Sequence, residues 1–206
     1  SYSMHEMELP ESLLAIARAG AGTNNIPVGK CAEQGIVVFN SPGANANAVK
    51  ELVLCALLFS SRNVIGGIEW VKTLKGQPDA DKQVEKGKSQ FIGPEIMSKT
   101  LGIIGLGNTG GRIAVAAAAL GMQVLGYDPY MREADAYGKF TQNFTYTSDL
   151  EQIMKESDYI TVHVPLTTEN KYMFNAHAFS LMKKGVRLLN FSRGELVNNT
   201  DIKQAI

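Results

Sequence analysis

The feature that most constrains the fold is a glycine-rich stretch between an apolar run and a helical pattern. Gly105–Gly110 has the spacing G-x-G-x-x-G. Residues 101–104 before it are typical of a buried strand, and the small residues of 113–120 after it are typical of a helix. A second predicted strand ends in Asp128, which is 128 − 110 = 18 residues past the last glycine. This order of elements predicts a dinucleotide-binding βαβ unit.

Each position of the glycine-rich stretch has a physical role in such a unit. Gly105 permits the tight turn, Gly107 lets the backbone approach a pyrophosphate, and Gly110 lets the helix pack closely on the sheet. The N-terminus of the helix, with Asn108 and Thr109, offers N–H groups and the positive end of the helix dipole to phosphates. The alternative is a tight turn that binds no ligand.

Asp128 is the predicted partner of the adenosine ribose. Its carboxylate can accept hydrogen bonds from both ribose hydroxyls and would repel a 2′-phosphate, so we expect NAD rather than NADP as the cofactor. The alternative is a solvated loop acid before Pro129.

The rest of the chain predicts an α/β protein. Strands and helices alternate after Thr100, which indicates a Rossmann-like, doubly wound parallel sheet. For residues 13–19 we predict a short helix and a strand, and for 66–93 a short helix and an extended surface arm. We predict further strands at 36–39 (buried on both faces), 101–104, 124–127, 159–164 and 186–190, and helices at 28–34, 44–62, 110–120, 150–155 and 175–182, with Thr200 as the N-cap of a last helix.

Composition limits the partners. Lys and Arg number 20 and Asp and Glu number 20, so the chain has no net charge that would attract nucleic acid or an acidic membrane. The longest apolar run, 53–59, is far shorter than the roughly 20 residues of a membrane span. The cysteines, Cys31 and Cys55, show no metal-binding spacing. We therefore expect a cytoplasmic protein with reduced thiols and no metal site.

Several blocks together resemble the D-isomer-specific 2-hydroxyacid dehydrogenases, and they occur in that family's order along nearly the whole chain. The resemblance implies NAD as cofactor and a small-molecule D-2-hydroxy acid as substrate. Residues 20–27 and 90–95 are most similar to the members that oxidise 3-phospho-D-glycerate. The blocks that carry the resemblance are residues 18–25, 40–43, 100–107, 126–129, 162–165 and 190–194.

The resemblance also implies a domain organisation. Residues 1–43 would be part of a smaller, flavodoxin-like α/β substrate domain, and residues 44–206 a Rossmann domain that is incomplete at its C-terminus. Residues 44–62 would be the connector helix between the domains. Residues 66–93 would be a dimerisation arm, so we expect a homodimer or a higher homo-oligomer.

The same resemblance assigns the site residues. Arg193 would be catalytic, holding the substrate carboxylate and polarising the C2 oxygen; the alternative is a surface arginine paired with Glu195. Ala21, Gly22 and Thr23 would bind the substrate carboxylate through backbone N–H groups; the alternative is a plain turn. The cofactor would further contact His163, Val164, Pro165, Phe191, Ser192 and Arg193.

The sequence departs from the family in two respects. Asn108-Thr109 replaces the more usual Arg-Ile. The family's catalytic Glu and His would follow the arginine block and do not occur within residues 1–206, so we expect the sequence to be a piece of a longer enzyme that has no activity alone. Two alternatives are a dehydrogenase for glyoxylate, hydroxypyruvate or D-lactate, and an NAD-sensing corepressor-like binding protein.

Overall fold

The computed structural model describes residues 3–140 and 143–206, and the chain divides into two compact units, residues 1–49 and 50–206. The smaller unit is a βαβ arrangement. Strand β1 (Ala15–Arg18) pairs in parallel with β2 (Val37–Asn40), and helix α1 (Val28–Glu33) connects them. Gly35 follows the helix with φ +71°, the left-handed conformation that glycine adopts without strain.

The strand predicted to be buried on both faces is largely exposed. Val37 and Phe39 are 51% and 58% exposed. This sheet has two strands in the described part of the chain. A strand is buried on both faces only when both faces of its sheet are covered. The apolar cluster of this unit covers one face; its buried members are Ile26, Cys31 and Ile36. The segment 13–19 likewise contains a strand and no helix.

The larger unit is built on a five-stranded parallel sheet with the order β5-β4-β3-β6-β7. The first strand of this sheet, β3, lies at its centre; β4 and β5 extend the sheet on one side of β3, and β6 and β7 extend it on the other. This confirms the predicted Rossmann-like class. The strands are β3 (Thr100–Ile104), β4 (Gln123–Tyr127), β5 (Phe144–Thr147), β6 (Tyr159–Val162) and β7 (Arg187–Asn190).

Helices connect the strands and precede them. The helices are α2 (Ala46–Ser61), α3 (Val64–Thr73), α4 (Ala80–Gly87), α5 (Asn108–Ala119), α6 (Glu133–Lys139), α7 (Leu150–Glu156), α8 (Ala176–Leu181) and α9 (Asn199–Ala205), with 3₁₀ turns at Lys88–Phe91 and Gly194–Leu196.

The central strand lies deepest in the core. Leu101, Ile103 and Ile104 have no exposed surface. Gly102 belongs to the same strand, and a Cβ there would collide with the side chains of Ser157 and Ile153. The missing side chain therefore lets α7 pack directly against β3, which fixes the sheet under the glycine-rich turn.

Two segments differ from the sequence prediction. The stretch 66–93 is mostly helical rather than extended, because Trp70 on α3 packs against Phe91 with ring centroids 5.1 Å apart. Asn63 caps α3 by accepting a hydrogen bond from the N–H of Gly66 at 3.2 Å. Helix α6 and strand β5 were not predicted, since each is short and their apolar positions are few.

Within residues 3–140 and 143–206, no single helix has the length and apolar character needed to cross a membrane, although α2 and α3, bent by 63°, meet those criteria as a pair. Both cysteines are free; Cys31 is buried and Cys55 is exposed.

The last helix begins differently from the prediction. Its N-cap is Asn198 rather than Thr200, and the Asn198 side chain accepts hydrogen bonds from the N–H groups of Thr200 at 2.9 Å and Asp201 at 3.3 Å. Thr200 lies inside the first turn, where its hydroxyl cannot act as the cap.

The two residues are therefore expected to respond differently to substitution. Asn198→Ala should lower the free energy of unfolding by about 1 kcal/mol, the usual cost of losing an N-cap. Thr200→Ala should change it by less than about 0.5 kcal/mol, as at most exposed positions. Urea denaturation of both variants measures the difference, and an equal loss in the two would contradict the assignment of the cap.

Candidate functional site

Most of the predicted site residues meet at one edge of the larger sheet, because parallel strands end on the same side. The N–H of Gly105 donates to the carbonyl of Tyr127 at 2.8 Å, and the N–H of His163 donates to the carbonyl of Ile104 at 2.7 Å. These bonds join the segments that follow β3, β4 and β6. The edge therefore brings together Gly105–Gly110, Asp128, His163–Pro165 and Phe191–Arg193.

The three glycines of the turn have different steric environments. Gly105 has φ +92°, and a Cβ at Gly110 would collide with the carbonyl oxygen of Gly105. Packing within the protein thus explains both of these glycines. Gly107 has an ordinary φ of −67°, and a Cβ there would meet nothing within 4 Å. Since the fold does not require glycine at 107, close approach of a ligand is the physical reason that fits it.

Helix α5 presents its N-terminus to this open side. Gly107 is the N-cap and uses no side chain for capping, and the first helical bond runs from the N–H of Gly111 to the carbonyl of Gly107 at 2.9 Å. The N–H groups of the first turn have no carbonyl within the helix to bind. They fit the phosphates of a dinucleotide, as the sequence predicts for Asn108 and Thr109.

Asp128 has a role that the sequence did not reveal. Its Oδ2 accepts a hydrogen bond from the N–H of Leu106 at 2.9 Å, and its Oδ1 accepts one from the N–H of Tyr130 at 2.9 Å. The carboxylate therefore joins the end of β4 to the glycine-rich turn. A carboxylate has about four acceptor positions, so capacity for two ribose hydroxyls remains.

Lys139 is a neighbour of the turn that sequence reasoning missed. Its ammonium lies 3.4 Å from the carbonyl oxygen of Leu106. The C=O and N–H of one trans peptide point in opposite directions, so this contact directs the N–H of Gly107 away from Lys139. No spacing signal could have found it, because the lysine comes from the unpredicted helix α6.

His163 is a largely buried imidazole with one side-chain partner. Its Nε2 lies 2.8 Å from Oγ1 of Thr161. Burial lowers the pKa of His163 to about 4, because the charged form loses its hydration. The ring is therefore neutral at physiological pH, which agrees with an orienting residue.

The segment after β7 is braced by Asn190. Its side chain donates to the carbonyl of Arg193 at 2.8 Å and accepts from the N–H of Ser192 at 2.9 Å, while the Ser192 hydroxyl donates to the carbonyl of Val164 at 2.7 Å. Among the described residues Arg193 forms no ion pair with Glu195, and one bond from Nη1 reaches the carbonyl of Ser192 at 3.2 Å. Most donors of its guanidinium thus remain available for a ligand.

The predicted substrate loop lies in the smaller unit. Arg18 donates to the carbonyl of Gly22 at 3.0 Å, and Asn40 donates to the carbonyl of Ala21 at 2.9 Å. With both carbonyls held in this way, the N–H groups of Gly22 and Thr23 point in the opposite direction. This geometry suits an anion-binding loop, and its assignment to the substrate stays a prediction.

Comparison with known proteins identifies related sequences along most of the chain. The family described as D-isomer specific 2-hydroxyacid dehydrogenase, NAD binding domain, matches residues 58–206. A D-3-phosphoglycerate dehydrogenase of Synechocystis sp. is 37% identical over 199 residues, which are 94% of this chain and 32% of that protein. A hydroxypyruvate reductase of Thermotoga maritima is 36% identical over 97% of this chain and 60% of its own length. The chain thus spans between about a third and three-fifths of these relatives.

A solved structure has a similar fold. The D-lactate dehydrogenase of Aquifex aeolicus, complexed with NAD and lactic acid, has a TM-score of 0.76 and 34% identity, and the match covers 94% of this chain and 54% of that one.

The steric contrast between the glycines generates a paired prediction. Gly107→Ala should stay folded, with a free energy of unfolding within about 1 kcal/mol of the wild type, because the added methyl group meets no protein atom and alanine is a poorer N-cap than glycine. It should weaken NADH binding at least about tenfold, because its methyl group enters the space of the diphosphate; tenfold corresponds to about 1.4 kcal/mol. Gly110→Ala should lose about 1–3 kcal/mol of stability through overpacking. Fluorescence titration with NADH and urea denaturation measure the two effects. Wild-type affinity in Gly107→Ala would exclude close approach at this residue.

The buried imidazole predicts a pH effect on stability. The unfolded chain binds a proton at His163 below about pH 6.5, whereas the folded chain does so near pH 4, so stability falls as the pH is lowered through this window. The loss is at most about 3 to 4 kcal/mol, from about 1.4 kcal/mol per pKa unit. His163→Gln should make the decline between pH 6.5 and 4.5 shallower. Urea denaturation at several pH values in this range measures the slope, and an unchanged slope in His163→Gln would contradict the assignment.

Proposed function

Because the chain belongs to the family of D-isomer-specific 2-hydroxyacid dehydrogenases and has its NAD-binding domain at residues 58–206, we propose that the protein oxidises 3-phospho-D-glycerate to 3-phosphohydroxypyruvate with NAD. Relatives named D-3-phosphoglycerate dehydrogenase, from bacteria, archaea, a plant and mammals, support this substrate at 32–37% identity. The reaction would supply serine biosynthesis.

The observation that supports oxidoreductase chemistry most strongly is the convergence at one sheet edge. The glycine-rich turn, Asp128, the segment 163–165 and Arg193 all follow parallel strands there. The turn and Asp128 would hold the diphosphate and ribose of NAD, and residues 163–165 and 191–192 would contact the rest of the cofactor. Bound NAD would accept a hydride at nicotinamide C4, which is the chemistry that the protein side chains lack.

Arg193 would bind and orient the substrate. Its guanidinium is a permanent cation with a planar fork, so it can hold a carboxylate through two parallel hydrogen bonds. A donor directed at the C2 oxygen would polarise the C–O bond as the C2 hydrogen leaves with its electron pair. The loop Ala21–Thr23 would bind the same carboxylate through backbone N–H groups.

The hydroxyl proton of the substrate must pass to a base during oxidation. An effective base has a pKa near the operating pH. His163, with a pKa of about 4 and its Nε2 beside Thr161, does not meet this condition. The family resemblance assigns the base to a different histidine held by a glutamate, so we assign His163 the role of an orienting residue.

A second candidate substrate class is favoured by one comparison. The similarity to a hydroxypyruvate reductase covers 97% of this chain at 36% identity, nearly the value for the phosphoglycerate dehydrogenases. Reduction of hydroxypyruvate, glyoxylate or pyruvate would use the same cofactor site and the same arginine. The two candidates differ in whether the substrate has a phosphate group.

The quaternary structure and location form part of the proposal. Exposed apolar residues of α2 and α3 favour burial against a second copy, in agreement with residues 44–62 as connector and 66–93 as dimerisation arm. The two free cysteines favour a reducing, cytoplasmic compartment. Residues 1–43 would belong to the substrate domain. The exposed large apolar residues of α2 and α3 are Leu52, Leu58, Phe59, Val64, Ile65, Ile68 and Val71.

A substrate panel tests the proposal. The protein expressed from its complete gene should form NADH from 3-phospho-D-glycerate with a kcat/KM at least about 100-fold above that for D-lactate or D-glycerate, since a lost charge-assisted contact costs about 3 kcal/mol. NADH absorbance measures the rate in each case. Turnover of hydroxypyruvate or glyoxylate without any of 3-phospho-D-glycerate would favour the second candidate.

A pair of arginine variants tests the role of Arg193 in the reaction. Arg193→Gln should lower kcat/KM at least about 100-fold, because removing one partner of a buried charge pair costs about 2–5 kcal/mol. NADH binding should weaken by a much smaller factor, since Arg193 is one of several residues predicted to contact the cofactor. Arg62→Gln removes an exposed arginine after α2 and should leave both values unchanged. Unaltered turnover in Arg193→Gln would remove the arginine from the mechanism.

A further inference from the structure

A small cleft opens at the sheet edge opposite to the cofactor loops. Its volume is about 140 Å³, and it lies where β3, β6 and β7 begin. The five residues of strand β3 separate it from Gly105, which corresponds to about 16 Å at about 3.3 Å per residue. The cleft is therefore distinct from the proposed NAD site.

Cations dominate the lining of this cleft. The lining contains one carboxylate, that of Asp158, and four cationic side chains: Lys99, Lys183, Lys184 and Arg187. Both carboxylate oxygens of Asp158 accept a hydrogen bond: Oδ2 from the N–H of Thr100 at 2.8 Å, and Oδ1 from the ammonium of Lys183 at 3.1 Å.

Asp158 is ionised at neutral pH and balances one of the four cations. Burial alone would raise the pKa of this carboxyl, but the bonds from Thr100 and Lys183 outweigh burial and lower it. In the described part of the chain, Lys99, Lys184 and Arg187 form no ion pair. Three positive charges thus lie uncompensated around one small space in a chain whose net charge is zero.

Arg187 is held rigidly toward the cleft. Its Nε donates to the carbonyl of Ser60 at 2.8 Å, and its guanidinium carbon lies 5.1 Å from the centre of the Tyr159 ring. The Tyr159 hydroxyl is fixed in turn by a buried hydrogen bond of 2.6 Å to Ser61. Nη1 donates to the carbonyl of Gly185 at 3.5 Å, and Nη2 has no protein partner among the described residues. A guanidinium fixed in this way loses little entropy when it binds an anion.

We propose that this cleft binds a small, doubly charged oxyanion: inorganic phosphate or the phosphoryl group of a phosphomonoester. The space corresponds to about four or five water molecules at roughly 30 Å³ each, enough for a tetrahedral oxyanion. A whole nucleotide needs a pocket of at least about 300 Å³. Arg187 supplies a fixed positive charge and the N–H donors of Nη2, while Lys99 and Lys184 supply mobile cations around it. The site does not depend on the proposed dehydrogenase activity.

Amide chemical shifts can locate the bound anion. A ¹⁵N-labelled chain is titrated with sodium phosphate at constant ionic strength, with chloride as the replaced ion. The amides of Thr100, Gly185 and Arg187 should shift and saturate with a Kd of about 1 mM or below, which corresponds to about −4 kcal/mol. Glycerol 3-phosphate forms the second arm: saturation by both ligands indicates a phosphoryl site that accepts an ester, and saturation by phosphate alone indicates a site for the free ion. Both results support the proposal.

Matched variants separate specific binding from general attraction. Lys99→Ala/Lys184→Ala should weaken binding at least about tenfold, whereas Lys75→Ala, which removes an exposed lysine after α3, should stay within about twofold. The same spectra report whether each variant is folded. Three outcomes would overturn the proposal. They are chemical-shift changes confined to Gly107–Gly110, changes that do not saturate with phosphate, and equal phosphate affinity in the double variant and the wild type.

Discussion

The hydrogen bond between the carboxylate of Asp128 and the N–H of Leu106 is the interaction on which the proposed cofactor site depends. It connects the end of β4 to the turn after β3, the two strands between which a Rossmann unit first crosses over. Lys139 contacts the other side of Leu106 through its carbonyl. The two peptide groups that flank this buried leucine are thereby oriented by charges of opposite sign. The turn is shaped before any ligand arrives, which lowers the entropic cost of binding.

The residues predicted from the sequence are mainly those whose role is local. Gly105 and Gly110 are required by backbone conformation and by contact with neighbouring backbone, so their spacing alone indicates a turn. The alternation of strands and helices after Thr100 likewise predicted the parallel sheet, because each element has its own periodicity. The roles predicted for Arg193 and the segment 163–165 come from family resemblance rather than from spacing.

Features that depend on distant contacts escaped prediction. Trp70 and Phe91 are far apart in sequence, yet their packing turns an expected surface arm into helices. Lys139 reaches the glycine-rich turn from a helix too short to show a clear pattern. Asn198 and Thr200 both have capping side chains, and composition could not decide which residue takes the non-helical conformation. The cationic cleft also depends on three separate strand beginnings that only the assembled sheet brings together.

The first turn of α5 has one consequence for how this sequence can vary. Its contacts with phosphate would come from backbone N–H groups, which all residues except proline possess. The side chains at 108 and 109 are therefore not needed for phosphate binding. Asparagine and threonine can stand there in place of the longer arginine and isoleucine without removing any backbone N–H donor. Divergence at these two positions is therefore a poor measure of functional distance, whereas one added carbon atom at Gly107 would matter more than both exchanges together.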